Sequence, residues 1–374
     1  AYSVTGTITA AQADAIADET TGAVTATIAA DTAAKLKDAL SDTTGANVYT
    51  LTVNGATATA TDLIALRTKA GTGTVKVDAK EISGAAGDIS TVYTNAGSIF
   101  TALGTENVKV TPAAAASAIN TILAATTGVV TATVIADTVA NLNTALASAT
   151  SKDALTLTTT NAAATAANLL ALDEKTSVKV NATAIAANGI TGTSAELKKL
   201  VAAKGVELAS NVALTVDSSE TAKAADLGAI LKATTGIVTA TVAADTAAKL
   251  AAALKDANST DALTLSVNGT TATAKDLISL NGKTSANISL SVGAIVGNVS
   301  DITDIFVTKT GFVAAELLAT DATISGTVGA GDYAALNTVL AAANTTGVVT
   351  ATIQANDAAT LNTTFTNATA ADKL

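Results

Sequence analysis

The side chains best suited to chemistry in this sequence are mostly acidic residues that recur at one position of a repeated segment. The recurring position follows a stretch of alternating apolar residues and threonines, and it is filled by Asp31, Asp137, Asp245 and Asn356. Such side chains cap helices by accepting a backbone N–H, and carboxylates are also calcium ligands. One carboxylate per repeat supplies too few of the roughly six or more oxygens that calcium requires. We therefore predict helix caps here, with calcium as the alternative and no metal-ligating residue assigned.

The amino-acid composition excludes many catalytic groups and cofactor sites. The 374 residues include no His and no Cys, which excludes an imidazole base, a thiolate nucleophile, disulfides and most zinc, haem or iron–sulfur sites. Paired carboxylates are formally possible, but the four Tyr and four Phe form no cluster around them. A Ser–Lys dyad is formally possible at Lys152, Lys198 or Lys199, yet other copies of the repeat fill these positions differently. We predict no enzyme and assign no catalytic or cofactor-binding residue.

The charge balance also limits the partners. The chain has 21 basic and 31 acidic residues, a net charge of −10 and a single arginine, Arg67. Nucleic acids and anionic membranes both require clustered cations, so neither partner is expected. Residues 110–136 carry no charge, but Thr126-Thr127-Gly128 interrupts them, and we predict no membrane span.

Internal repetition organises the whole sequence. The segment TTGAVTATIAADTAAKL, whose glycine is Gly22, returns in similar form at Gly128, Gly236 and Gly347, with spacings of 106, 108 and 111 residues. Each long repeat subdivides into four units of about 27 residues, so residues 1–374 hold about fourteen units of one continuous repeat domain. The chain begins and stops within a repeat, from which we expect either a longer protein or subunits stacked end to end.

Each unit joins a strand pattern to a helix pattern. Alternation of apolar residues with threonine, as in the segment from Val24 to Ile28, is typical of a strand with one exposed face. The following leucines lie four residues apart and share one helical face; the pairs are Leu36 and Leu40, Leu142 and Leu146, Leu250 and Leu254, and Leu361 and Phe365. These patterns predict an α/β solenoid of about fourteen strand–helix units, with one long parallel sheet and helices on one face.

The alternation places the threonines of each strand on the exposed face. Stacked threonines are candidates for binding a glycan, ice or a partner protein, although threonine is also simply well tolerated in an exposed strand. If the threonines bind a ligand, bulky substitutions at Thr133 and Thr241 should abolish binding and leave assembly intact. The alternative function is therefore a binding module that uses this threonine ladder.

The Ala/Thr-rich units, with their ADTAAKL-like helix starts and alternating threonine strands, resemble the repeat regions of giant secreted bacterial cell-surface proteins of marine cyanobacterial type. The resemblance implies an extracellular or cell-surface location and a structural role in a filament, fibre or surface layer, serving adhesion, coating or motility. It also implies that the partners are further copies of the chain or the rest of a longer surface protein. The lack of cysteine fits a location outside the reducing cytosol.

Overall fold

A computed structural model describes residues 1–41, 46–186, 188–308, 310–343 and 347–374. The chain forms two compact units. Unit 1 comprises Ala1–Ala162, Asn168–Ala184 and Lys204–Glu207, and unit 2 comprises Ala163–Ala167, Ile185–Ala203 and Leu208–Leu374.

Strands and helices alternate along the first part of the chain. The strands up to residue 162 are β1 (Tyr2–Ile8), β2 (Val24–Ile28), β3 (Val48–Val53), β4 (Thr57–Thr59), β5 (Thr74–Val77), β6 (Glu81–Gly84), β7 (Phe100–Thr101), β8 (Asn107–Val110), β9 (Val130–Thr133) and β10 (Ala154–Thr156). The helices are α1 (Ala10–Asp18), α2 (Ala33–Ala39), α3 (Ala60–Ala70), α4 (Ala86–Thr94), α5 (Ala116–Leu123) and α6 (Val139–Ala145).

The second part of the chain continues this alternation. Its strands are β11 (Ala164–Thr165), β12 (Val180–Ala182), β13 (Ile190–Gly192), β14 (Val206–Leu208), β15 (Leu214–Val216), β16 (Thr221–Ala222), β17 (Val238–Val242), β18 (Ala262–Thr264), β19 (Ser266–Thr273), β20 (Ser289–Gly297), β21 (Asp321–Val328) and β22 (Val349–Ile353). Its α-helices are α7 (Ala166–Asp173), α8 (Ser194–Ala202), α9 (Ala224–Ala233), α10 (Ala247–Ala253), α11 (Ala274–Asn281), α12 (Val299–Thr303), α13 (Ala314–Leu318), α14 (Tyr333–Ala343) and α15 (Ala358–Thr364). Short 3-10 helices cover Thr183–Ile185 and Ala330–Asp332, and a π-helix covers Asp304–Thr308.

Five sheets contain the described strands. Unit 1 holds a sheet in the order β1-β2-β3-β5-β7 and another in the order β10-β9-β8-β6-β4. Unit 2 holds the sheet β11-β13-β15-β17-β16, with β18 also on β17, and the sheet β19-β20-β21-β22. Strands β12 and β14 form a separate pair. The registers in the larger sheets are parallel, as in β3 with β5 and β19 with β20, which confirms an α/β protein built on parallel strands.

The prediction of one long sheet in a fourteen-unit solenoid is wrong for the described residues. Within unit 1 a unit of the repeat has two strands before its helix, as in β3-β4-α3 and β5-β6-α4. A turn separates the two strands, and at β3-β4 it contains Gly55 with a φ of +108°, a conformation that glycine adopts without a steric penalty. First strands therefore pair with first strands and second strands with second strands, in separate sheets.

Helices contact both of the unit 1 sheets, so the prediction of helices on one face of one sheet is also corrected. Helix α3 packs against β3 and β5 of one sheet and against β4 and β6 of the other. Its apolar residues Leu63 and Leu66 are fully buried. The local packing unit is therefore a helix against two short strands.

The predicted apolar faces are confirmed. In β2 the side chains of Val24, Ala26 and Ile28 are buried and the two threonines between them are exposed. The predicted leucine pairs of α2, α6 and α10 are at most 1% exposed. The last pair, Leu361 and Phe365, is half-buried.

Candidate functional site

The recurring acidic position does not hold the N-cap residue that the sequence predicts. The helices start one residue later, and their N-cap residues are Thr32, Thr138, Thr246 and Asp357. The prediction is wrong because the backbone at the acidic position still pairs with a strand, as in the bridges of Asp31 to Val53 and Asp245 to Val267. A residue whose backbone is extended and paired in this way delays the helix by one position.

The side chains at this position nevertheless stabilise the helix start. Each accepts a hydrogen bond from the backbone N–H of the following N-cap residue, and the four distances, for Asp31, Asp137, Asp245 and Asn356 in turn, are 2.8, 2.7, 2.8 and 2.8 Å. The Thr32 N–H, with help from Lys35, lowers the pKa of Asp31. The Thr246 N–H and Lys249 likewise lower the pKa of Asp245. The helix start and its lysine therefore favour the ionised form of both carboxylates.

Among the residues that the structure describes, no group of three or more Asp, Glu, His or Cys side chains is placed to hold a metal ion. Two lysines considered for a Ser–Lys dyad have other partners. Lys152 donates to the carbonyl oxygen of Thr127 at 2.7 Å, and Lys198 forms an ion pair with Asp226 at 3.2 Å. These contacts link neighbouring segments of the repeat.

Exposed and half-buried threonines lie at matching register positions and form rows across the sheets. In unit 2 the register places Thr165, Thr191, Thr215 and Thr239 side by side on four adjacent strands. We call these four residues the unit 2 threonine row. The neighbouring register positions, Ala164, Ile190, Leu214 and Val238, form a buried apolar row beneath the sheet.

Unit 1 has a similar arrangement, the unit 1 threonine row, made of Thr7, Thr27, Thr50 and Thr74. Of the two residues singled out in the sequence, Thr133 is paired with Thr156, and Thr241 is paired with Thr221 and Thr264. Adjacent strands lie about 4.8 Å apart, so each row offers closely spaced neutral hydroxyls that both donate and accept hydrogen bonds. The rows are suited to polar, uncharged partners.

The TTG segments bring successive parts of the repeat into close backbone contact. A Cβ at Gly128 would lie 2.1 Å from the carbonyl oxygen of Glu106, and one at Gly236 would lie 2.3 Å from that of Asn211. The hydroxyl of Thr126, two residues before Gly128, donates to the Glu106 carbonyl at 2.8 Å. Only glycine permits this approach, which explains why the repeat is marked by glycine at these positions.

A second set of polar side chains links the repeats and was missed in the sequence. Asn47, Asp153, Asp261 and Asp372 follow the same spacings of 106, 108 and 111 residues as the marker glycines. Each accepts a hydrogen bond from the backbone N–H of the first residue of the strand that follows a TTG sequence; we call β2, β9, β17 and β22 the TTG strands. The donors are Val24, Val130, Val238 and Val349, at 2.9, 3.0, 2.8 and 2.9 Å. We call them the repeat-linking residues; the first three are at most 4% exposed.

Lysines recur in a similar linking role. Lys69 donates to the carbonyl oxygen of Leu40, Lys175 to that of Leu146 at 3.0 Å and Lys283 to that of Lys255 at 2.7 Å. Each ammonium group therefore meets a backbone carbonyl oxygen just after a preceding helix, where a positive charge is favourable. The three lysines are again 106 and 108 residues apart.

One buried carboxylate has no counterpart in the other long repeats. Glu106 is 7% exposed and accepts hydrogen bonds from the hydroxyl of Tyr93 and the backbone N–H groups of Gly104 and Thr105. Burial, and then the charge and hydrogen bond of Glu106, raise the pKa of Tyr93. This cluster fixes the loop before β8, and both carboxylate oxygens of Glu106 accept hydrogen bonds.

No protein-family model matches this chain, and no curated protein matches its sequence. Within the described residues, none of the helices has the length and apolar character needed to cross a bilayer.

Proposed function

We propose that this chain is a non-enzymatic structural repeat protein that forms part of an extracellular filament, fibre or surface layer, in a role in adhesion, surface coating or motility. Its partners are further copies of the chain or the remainder of a longer surface protein. The observation that carries the proposal is the reuse of polar side chains as links at a fixed repeat spacing. Asp153 and Asp261, each 1% exposed, accept backbone N–H groups from the TTG strand.

This use of buried carboxylates contrasts with what catalysis requires. A catalytic carboxylate faces a substrate and keeps a free acceptor or a proton to transfer, whereas both Asp153 oxygens are occupied. One accepts the Val130 N–H at 3.0 Å, and the other accepts the Thr150 N–H at 2.9 Å and the Thr150 hydroxyl at 3.0 Å. An Asn or Asp side chain accepts the equivalent backbone N–H in each long repeat, as expected of a structural element that is repeated along a chain.

Immunogold electron microscopy of intact producing cells tests the proposed location and role. Antibodies against this chain should label surface layers or filaments without permeabilisation, and antibodies against a cytosolic protein should not. Label that is found only after the cells are permeabilised would contradict the proposal.

A second candidate function is a binding module that uses a threonine row to bind a glycan, ice or a partner protein. It is favoured by the unit 2 threonine row, in which four threonines and no charged residue lie side by side on adjacent strands. Replacing Thr191 and Thr215 with tryptophan should abolish binding to a glycan array or to ice. The same changes at Thr27 and Thr50 provide the matched control, and equal behaviour of both variants would argue against a specific unit 2 surface.

A further inference from the structure

Four Asn-Gly pairs in this chain have the chemistry for spontaneous modification. They are Asn54-Gly55, Asn188-Gly189, Asn268-Gly269 and Asn281-Gly282. In such a pair the glycine backbone nitrogen attacks the asparagine Cγ, a new N–C bond forms, and the C–N bond to the side-chain nitrogen breaks. Ammonia leaves and carries away the amide proton. Water then opens the cyclic succinimide to aspartate or isoaspartate. The reaction requires a glycine amide that is free to approach the side chain.

Two of the four glycine amides donate backbone hydrogen bonds, and a third belongs to a residue inside a paired strand. The Gly189 N–H donates to the carbonyl oxygen of Ile185 at 3.2 Å, and the Gly282 N–H donates to that of Ile278 at the end of α11. Gly269 lies inside β19, where it is paired with Val292 of β20. A backbone amide fixed in a helix end or a strand ladder reacts only after local opening of the structure.

The first pair has a different setting. Asn54 and Gly55 lie in the turn after β3 ends at Val53 and before β4 begins at Thr57, and both are exposed. Among the described residues no acceptor is within hydrogen-bonding geometry of the Gly55 N–H, and the Asn54 side chain makes no hydrogen bond. The backbone N–H of Asn54 is anchored, donating to the carbonyl oxygen of Asp31 at 3.0 Å.

We propose that Asn54 is a site of spontaneous deamidation, with Gly55 as the attacking residue and water as the co-reactant. The inference does not depend on the proposed function. It rests on a comparison within the chain, because Asn54-Gly55 and Asn268-Gly269 share the sequence Val-Asn-Gly and occupy equivalent positions of the first and third long repeats. They differ in that one glycine lies in a turn and the other in a paired strand.

Deamidation at this position changes the link between adjacent parts of the repeat. Either product adds a negative charge to a chain whose net charge is already −10. The isoaspartate product also inserts a methylene into the backbone directly after the bridge between Asp31 and Val53. The hydrogen bond from the residue 54 N–H to the Asp31 carbonyl is expected to weaken as a result.

Peptide mapping by mass spectrometry during incubation of the folded chain in mildly alkaline buffer tests the proposal. The peptide that contains Asn54 should gain the mass of an amide-to-acid exchange at least about tenfold faster than the peptide that contains Asn268, since about 1.4 kcal/mol of local opening energy already gives that factor. In concentrated urea, the two peptides should react at similar rates. The Asn54→Gln variant, whose side chain is one methylene too long for the five-membered ring, should lose the early mass gain.

Three results would contradict the proposed deamidation at Asn54. Equal rates at Asn54 and Asn268 in the folded chain would overturn the proposal, as would a faster reaction at Asn268. Absence of reaction at Asn54 in a period in which the urea-unfolded chain reacts would also overturn it. Asn54→Gln is preferred to a change at Gly55, because a Cβ there would lie 3.3 Å from Thr32 Cγ2 on a backbone with positive φ, and such a variant risks misfolding.

Discussion

The first and second long repeats share a backbone plan but differ in the polar side chains that join its parts. At the repeat-linking position the first repeat has Asn47 and the second has Asp153, and both accept the N–H of the valine that starts the TTG strand. The acceptor oxygen is thus retained while the charge changes. Geometry, rather than charge, is the common requirement at this position.

Elsewhere the second repeat leaves buried polar atoms without hydrogen-bond partners at positions where the first repeat does not. The first repeat joins Lys37 to Asp62 in an ion pair at 2.6 Å, whereas the equivalent Asn143 donates to the backbone carbonyl of Asn168 and leaves its own Oδ1 buried without a partner. The first repeat buries Val53 where the second buries Thr159. Equivalent positions therefore tolerate exchanges that leave a buried polar atom without a hydrogen-bond partner, and each exchange can be reversed by mutation.

The largest effect is expected at the repeat-linking carboxylate. Asp153→Ala leaves the N–H of the fully buried Val130 without an acceptor and also removes the acceptor of the Thr150 N–H and hydroxyl. It should lower the free energy of unfolding by about 3 kcal/mol. Asp153→Asn retains one acceptor oxygen, as Asn47 does, and should cost about 1 kcal/mol. Urea denaturation gives the free energies, and hydrogen exchange at the Val130 amide reports the local effect. Equal costs for the two variants would show that charge, and not the acceptor, is what the position needs.

A gain in stability is expected from Thr159→Val. The Thr159 hydroxyl is buried, with the residue 2% exposed, and has no hydrogen-bond partner, whereas the first and third repeats have Val53 and Val267 at this position. Removing an unpaired hydroxyl while keeping the β-branched shape should raise the free energy of unfolding by about 1 to 2 kcal/mol. The control is Val53→Thr, which should lower it by a similar amount. A loss of stability in Thr159→Val would mean that the hydroxyl has a role that the hydrogen-bonding pattern does not show.

Local periodicity was enough to predict which residues are buried. The alternation from Val24 to Ile28 and the spacing of Leu36 and Leu40 depend only on strand and helix geometry, and the structure confirms both. The helix caps were displaced by one residue because Asp31 pairs with Val53 through the backbone. That partner is distant in sequence, and local spacing does not reveal it.

The division into several sheets also depends on non-local pairing. The turn at Gly55 decides that β3 pairs with β5 while β4 pairs with β6. The repeat-linking residues were missed because their type changes between Asn47 and Asp153 and each stands alone in its segment. Their spacing was visible in the sequence, so aligning the polar positions of the long repeats together with the glycines would have identified them.

The ion pair of the first repeat should make this part of the chain sensitive to acid. Burial opposes ionisation of Asp62, but hydrogen bonds from Lys37 and Thr59 outweigh it and lower the carboxyl pKa. An acid whose pKa is lower in the folded state stabilises the fold above its unfolded pKa, about 3.9 for Asp, and this contribution is lost as the pH falls through the folded pKa. The Lys37→Asn/Asp62→Asn double variant, which copies the second repeat, should therefore lose less stability on acidification than the unchanged chain.

The reverse exchange gives the matched control for this pair. Asn143→Lys/Asn168→Asp places the ion pair in the second repeat and should add acid sensitivity there. Urea denaturation at a series of pH values, from neutral to below about 4, measures both variants. Parallel curves of stability against pH for the two variants and the unchanged chain would show that the pair makes no pH-dependent contribution to folding in either repeat.

The smallest effect is expected at Asp173, which replaces Arg67 of the first repeat and corresponds to Asn281 of the third. Burial, and then the neighbouring Glu174, raise the pKa of Asp173. An acid whose pKa is higher in the folded state favours the fold at low pH, and this stability is lost as the pH rises through the folded pKa. Asp173→Asn, which copies the third repeat, should therefore raise the free energy of unfolding at neutral pH by less than about 1 kcal/mol. The gain should vanish below about pH 3.9, the unfolded pKa of Asp, because the wild-type carboxyl is then neutral in both states. The side chain of residue 173 lies close to Gly205, where an added Cβ would clash with it. A gain that persists unchanged at acid pH would therefore assign the effect to packing of the new amide against Gly205 and not to the loss of charge.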